Sequence, residues 1–288
     1  MSILGDSHLG SISVFLQSDK ADESISDSHK IWYLEELIDT EPHLNMLIAL
    51  TSFELAYSFY NINKHNNTFE ISANGNTINF TIESKNYTAQ QLATELTSQL
   101  ALRTASLGQT IILSYNTQEL KFDFSSDQLN IPYTITTNTT MTRELGLILP
   151  LVSSSGKITS NKIANLSGTS SIYFKINNLG IRNRDSRGKT DGNIQKINVN
   201  SNFGEYIFYD STESIYYPLT NRTITKIEAS LTDMNSNELI MNGGDFSFTL
   251  TIHFQKVREN IIPRRFLLDM LKMELQDEEK NENVKSEK

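Results

Sequence analysis

The chain of 288 residues contains no cysteine. Disulfide staples, thiolate metal sites, iron–sulfur clusters and cysteine nucleophiles are thereby excluded. No apolar run approaches the roughly 18 residues that a membrane-crossing helix needs. The first residues lack the basic-then-apolar order of a secretion signal. Positive charge is in the minority, with 25 Lys and Arg against 34 Asp and Glu and a net charge of -9. That balance argues against a general coating of nucleic acid. Catalytic signatures are missing as well. The Gly-Lys pair at 188–189 follows no Gly-rich loop of the kind a phosphate site requires. Leu145–Leu149 holds a single glycine, and no serine stands in a Gly-x-Ser-x-Gly elbow. The five histidines, His8, His29, His43, His65 and His253, never fall at metal-ligand spacing.

What the chain does have is alternation. Phe246, Phe248, Leu250, Ile252 and Phe254 fall on one face of a period-two segment, and Ser247, Thr249, Thr251 and His253 on the other. Such a segment is a β-strand with one buried face. It places His253 on the polar, solvent-facing side. Ile227, Ala229 and Leu231 alternate in the same way upstream, with Asp233 to Asn237 as a polar turn between the two strands. An apolar strand this regular needs an opposing sheet, so a two-layered β domain is expected.

Taken in order, residues 1–43 read as a Ser- and Asp-rich arm with apolar patches too brief for a core. A β domain is expected over 44–256. Alternation over 44–60 changes phase at Thr51-Ser52, as a β-bulge or a strand crossing between sheets would require. Asn74-Gly75 marks a hairpin between Thr68–Ala73 and Thr77–Glu83. Thr88 and Gln91 form a capping box, and Leu92, Leu96 and Leu100 then repeat at helical spacing, predicting a helix over 89–103 that covers a sheet. Strands follow at 110–115, 119–125 and 130–136, a short helical turn at 140–147 and a loop at 150–168. A small inserted lobe is expected within 61–149. Further strands are read at 170–179 and about Ile194, Ile197 and Val199, where Ile194 is out of phase. Glu205–Tyr209 and Ser214–Pro218 read as a pair of short aromatic strands. Residues 257–288 predict a helix after Pro263, with Phe266, Met270 and Leu271 on its apolar stripe, and then a charged tail.

No catalytic, cofactor or metal residue is assigned. Asp210, Thr212 and Glu213 with Asp185 or Asp191 could supply oxygens to calcium, yet they lack EF-hand spacing and read better as a turn. Asp123 and Asp127 carry no sign of a glycosidase pair. Five Asn-x-Ser/Thr sequons follow from an Asn- and Thr-rich composition. One electrostatic feature stands out in this acidic chain. Arg182, Arg184, Arg187 and Lys189 crowd a single loop, which reads first as a solvated segment, then as a contact with a neighbouring subunit, and last as a contact with nucleic acid.

Four pieces, in order, carry a family resemblance. Leu231-Thr232-Asp233, Asn242-Gly243 and Phe246-Ser247-Phe248-Thr249-Leu250 form the first. Ala56-Tyr57-Ser58-Phe59-Tyr60-Asn61-Ile62 forms the second, Asn86-Tyr87-Thr88 with Leu92 the third, and Arg143-Glu144-Leu145-Gly146 the fourth. Together they resemble the penton, or minor capsid, proteins of virophages and polinton-like viruses. Phe246 stands where that family often has tryptophan, and Ala56 near its usual proline. The resemblance implies a jelly roll, and with the strands and helices read above the expected fold is an all-β, antiparallel jelly-roll β-sandwich with additional strands, one covering helix and a C-terminal helix. It implies a virion protein forming homopentamers at icosahedral vertices beside trimers of a major capsid protein, without catalysis, cofactor, nucleic acid or transmembrane segment. It further implies assembly inside the host cell, in a cytoplasmic viral factory. The arm and the C-terminal helix would bind other capsid proteins. On this reading Phe246, Phe248, Leu250, Ile252 and Phe254, the four basic loop residues, and Phe266, Met270 and Leu271 are the structural and interface candidates. A trimeric spike or receptor-binding β module is the alternative, and a β-sandwich carbohydrate-active enzyme a third.

Overall fold

The structure is a computed structural model that describes residues 8–153, 155–181 and 192–256. Four strands open it: β1 (His8–Gln17), β2 (Glu23–Ser26), β3 (His29–Asp39) and β4 (Leu44–Ala56). A long insertion holds β5 (Thr68–Ala73), β6 (Asn76–Thr81), the helices α1 (Ala89–Ala101) and α2 (Thr104–Leu107), β7 (Ile111–Asn116), β8 (Lys121–Ser126) and β9 (Tyr133–Ile135). The insertion continues through α3 (Thr142–Leu145), β10 (Leu151–Val152) and β11 (Lys157–Thr159). Six strands finish the described chain: β12 (Ser171–Ile176), β13 (Asn193–Asn198), β14 (Tyr206–Asp210), β15 (Tyr217–Pro218), β16 (Thr223–Thr232) and β17 (Phe246–Lys256).

Strand pairing defines the architecture. One sheet runs β1-β17-β4-β14, with β15 also on β4, and the other runs β13-β12-β16-β3-β2. With the short β2 and β15 set aside, eight strands remain, and in each sheet the first four (β1, β3, β4, β12) alternate with the last four (β13, β14, β16, β17), every pairing being antiparallel. This interleaving of two Greek keys is the jelly roll. The fold is therefore an all-β sandwich with additional strands.

The core lies between the sheets because the alternating side chains of both meet there. Phe246, Phe248, Leu250 and Ile252 from β17 are buried, and Phe254 is partly buried. Phe248 sits edge-on to Phe174 of β12 at 4.8 Å and to Trp32 of β3 at 5.3 Å, so three strands from two sheets meet at one ring. Edge-to-face contacts of this kind add about 0.5–1.5 kcal/mol beyond the area they bury.

Several expectations change here. Residues 8–39 are no external arm. β1 pairs with β17 along its length and β3 with β16, while Ile12, Val14 and Leu16 lie opposite the inward residues Ile252, Leu250 and Phe248. The closing strands are no hairpin either. β16 and β17 belong to opposite sheets, and the chain between them crosses the sandwich with Leu239 and Met241 buried. Asp233 to Asn237 is still a turn, closed by Asp233 N to Asn237 O at 2.9 Å, but it brings Glu238 of the crossing beside Thr232 and does not pair β16 with β17. β14 and β15 do not pair with each other. They lie end to end along β4, whose 13 residues are long enough to seat both.

The insertion has its own core. Ile62, Phe69, Leu92, Leu96, Phe122, Phe124 and Ile135 belong to a second buried cluster that runs on to Ile158. Residues 150–168 are thus not merely loop: β10 pairs with β9, and β11 pairs with β8. Two- and three-residue strands are too brief to show a period. Asn61 ties the two chain ends of this lobe together, donating from Nδ2 to Tyr87 O at 2.9 Å and to Leu166 O at 3.0 Å.

Candidate interaction surfaces

A jelly roll has two poles, and the hydrogen bonds sort its connections between them. At one pole the 57–60 segment meets the β13–β14 connection, with Tyr57 N donating to Glu205 O at 2.8 Å. Ser18 Oγ reaches Asp245 Oδ1 there at 3.0 Å, and Ser58 Oγ donates to Met241 O. Gly244 belongs to the same pole, where an added Cβ would meet Ser58 Oγ at 2.2 Å. The inserted lobe leaves from this end. At the other pole Thr40 N donates to Arg222 O at 3.1 Å and Asn221 Nδ2 to Asn178 O at 3.0 Å. His8 is paired with Gln255 there, so the first and last described strands end side by side.

The candidate residues divide accordingly. Phe246, Phe248, Leu250 and Ile252 face the sandwich core and hold the sheets together, so they present nothing to a neighbour. Arg182, Arg184, Arg187 and Lys189, and Phe266, Met270 and Leu271 with their expected helix, lie outside the described residues. The residue before the basic loop, Ile181, is buried against the sandwich core. Thr220 Oγ1 donates to the carbonyl of nearby Gly180 at 3.2 Å, which holds the described residues Gly180 and Ile181 at the pole away from the lobe.

The outer face of the β1-β17-β4-β14 sheet is a second surface, and sequence reading missed its apolar rim. Ser52 Oγ donates to Thr249 Oγ1 at 2.8 Å, and Ser13 and Thr251 are 3.4 Å apart, which gives the face a hydroxyl lattice. Phe15 on β1 and Phe208 on β14 flank that lattice, 60% and 63% exposed. Tyr206 stacks beside Phe208 at 6.0 Å. The signal was present as aromatic residues at polar-phase positions of their strands. His253 lies on this face as its phase requires, but it is buried and not a surface residue. Its ring meets Tyr216 edge-on at 4.3 Å, with Nε2 2.5 Å from Tyr216 Oη, because the segment before β15 folds over the sheet.

Carboxylates are held locally. Asp123 Oδ1 accepts from Thr159 Oγ1 at 2.5 Å and lies 3.5 Å from Lys157 Nζ, while Asp127 Oδ1 accepts from Thr110 N at 2.8 Å. They serve different contacts. Asp210 ends β14 and does not sit in a turn, whereas Asp185 and Asp191 lie outside the described residues. Among the described residues no cluster of three His, Asp or Glu side chains is placed to hold a metal. Nor is any helix there long and apolar enough to cross a membrane.

His29 lies on the outer face of the other sheet between two carboxylates. Its Nε2 is 2.9 Å from Glu228 Oε1 and its Nδ1 is 3.1 Å from Glu238 Oε1. Hydrogen bonding from Ser26, with His29 adding to it, holds the Glu238 carboxyl below its ordinary value. The contact joins β2, β3, β16 and the crossing to β17.

No protein-family model matches the chain, and no curated protein matches it. Among solved structures, the penton protein of mavirus, known from a crystal structure of the selenomethionine-labelled protein, aligns with 86% of this chain and 99% of its own. The TM-score is 0.46 and the sequence identity 11%.

Proposed function

We propose that the chain is a structural virion protein whose five copies form capsomers at icosahedral vertices, next to trimers of a major capsid protein. The observation that carries this reading is the interleaved strand order of the sandwich. It supplies the framework that the four ordered sequence pieces imply, and each piece has a structural place in it. Leu231 and Phe248 pack in the sandwich core, and Asn242-Gly243 turns the crossing between sheets. Tyr57–Asn61 leads into the lobe, Thr88 caps α1, and Glu144-Leu145-Gly146 ends α3.

Contacts follow from the geometry. Residues 8–39 are paired into the sandwich, so they form no arm that could reach across a neighbour. Among the described residues, the surfaces left for subunit contact are the outer edge of β1 and the aromatic rim of its sheet; the basic segment and residues 257–288 are offered as contacts on their sequence alone. A head-to-tail contact between different surfaces of successive copies closes into a ring when the rotation permits. Mass photometry of the purified chain tests the reading. A species near five times the 32.6 kDa subunit is expected. A threefold species would instead favour the spike or receptor-binding module, and a monomer that persists with the major shell protein present would defeat both.

A further inference from the structure

The lobe carries an open cavity of about 560 Å³ beside α3, lined by Thr142, Arg143 and Leu147 from one segment and by Lys162, Ile163 and Asn165 from another. Two backbone hydrogen bonds fix these walls, Lys162 N to Gly146 O at 2.9 Å and Asn165 N to Arg143 O at 3.2 Å. The approach is so close that a Cβ on Gly146 would meet Lys162 O at 2.3 Å, and Gly146 holds a φ of +68°.

The polar groups left over in the cavity are mainly donors. Neither Arg143 nor Lys162 has an ion-pair partner among the described residues. One amino group of Arg143 donates to Gly168 O at 2.8 Å and lies 3.5 Å from Ser167 Oγ, which steadies the guanidinium and leaves the N–H groups of its other two nitrogens for a ligand. Asn165 commits its Oδ1 to Ser167, accepting from N at 3.1 Å and Oγ at 2.6 Å, and so keeps its amide N–H groups. The adjacent acid, Glu144, is buried, accepts from Asn66 Nδ2 at 2.7 Å and does not line the cavity. Beside the donors stands an apolar wall, since Ile163 is 61% exposed.

We propose that this cavity binds an anionic saccharide. Arg143 and Lys162 hold its sulfate or carboxylate, the Asn165 amide donates to a hydroxyl, and the C–H face of the ring lies on Ile163. A bare inorganic anion would leave the apolar wall unused. The volume falls within the roughly 300–1,000 Å³ range of small-molecule sites. The proposal does not depend on the vertex reading, because pentamer formation is measured separately.

Calorimetric titration of the intact protein tests it, with a heparin-derived tetrasaccharide, sialyllactose and sodium sulfate as probes. One of the two saccharides is expected to saturate a single site, and sulfate to bind at least about tenfold more weakly. Lys162→Gln should weaken the saccharide about tenfold, as expected for loss of a charged hydrogen bond. It should leave the melting temperature unchanged, because the Lys162 amine has no ion-pair partner among the described residues. Arg143→Gln should weaken binding at least as much, and the Lys162 variant decides the matter if that protein fails to fold. Saturable binding by neither saccharide, an affinity untouched by Lys162→Gln, or sulfate binding as tightly as the sugars would each overturn the proposal.

Discussion

Phe248 and Glu144 are both buried, one an apolar ring and the other a titratable acid. Phe248 is 1% exposed and touches aromatic rings from both sheets. Phe248→Ala leaves a cavity where the sheets meet and should lower stability by about 3–5 kcal/mol in urea titration. Glu144 is a buried carboxyl in α3, and burial raises it above its ordinary value despite the hydrogen bond from Asn66. A raised folded value means that folding favours the protonated acid. Its contribution is therefore complete below the ordinary carboxylate value and is lost as pH rises through the folded one. Glu144→Gln keeps the acceptor and removes the charge. Its urea midpoint should match or exceed that of the parent at pH 7 and change less between pH 4 and pH 7. At this scale the inward phenylalanines were legible from phase alone. The burial of His253 was not, because phase gives a side chain's face and not what folds over that face.

Both breaks in alternation prove to be bulges. Thr249 lies opposite Ser52 and Leu250 opposite Leu50, so Thr51 is the extra residue on β4. Phe174 lies opposite Gln195 and Lys175 opposite Asn193, so Ile194 is the extra residue on β13, and it can point inward like Ile197. A bulge lets a strand change phase without leaving its sheet. The hairpin at Asn74-Gly75 and the capped α1 were equally readable, because each is specified by neighbours in sequence. Thr88 Oγ1 accepts from Gln91 N at 3.3 Å and Thr88 N donates to Gln91 Oε1 at 2.9 Å. Thr88→Ala should therefore cost about 1 kcal/mol in chemical unfolding, and Thr88→Ser should restore most of it. Strand partners were less legible. Pairing of β1 with β17 joins residues more than two hundred positions apart, which no local period encodes. Ile12, Val14 and Leu16 did alternate, as did Trp32 and Leu34, but Ser- and Asp-rich flanks made those runs look too short to count.

The whole molecule is polar in the geometric sense, with the lobe at one end and the ends of β1 and β17 at the other. The proposed ring of five copies would sum a net charge of -9 on each, and at low ionic strength the copies would repel over a screening length of about 10 Å or more. Pentamer yield should accordingly rise as salt is raised from low to moderate concentration. Equal yields across that range, measured by mass photometry, would show that other contacts outweigh the repulsion. The candidate surfaces at this scale were the least legible in sequence. Exposure of Phe15 and Phe208 depends on which face of an assembled sheet stays open, and that is settled only when all the strands are in place.

The tie made by Asn61 has a consequence for how such a chain can change. Since the segments leading into and out of the lobe run beside each other, the insertion behaves as a cassette hung from the sandwich at one narrow stem. Its surface is free to diverge, lengthen or be exchanged while the strands that build the framework keep their order.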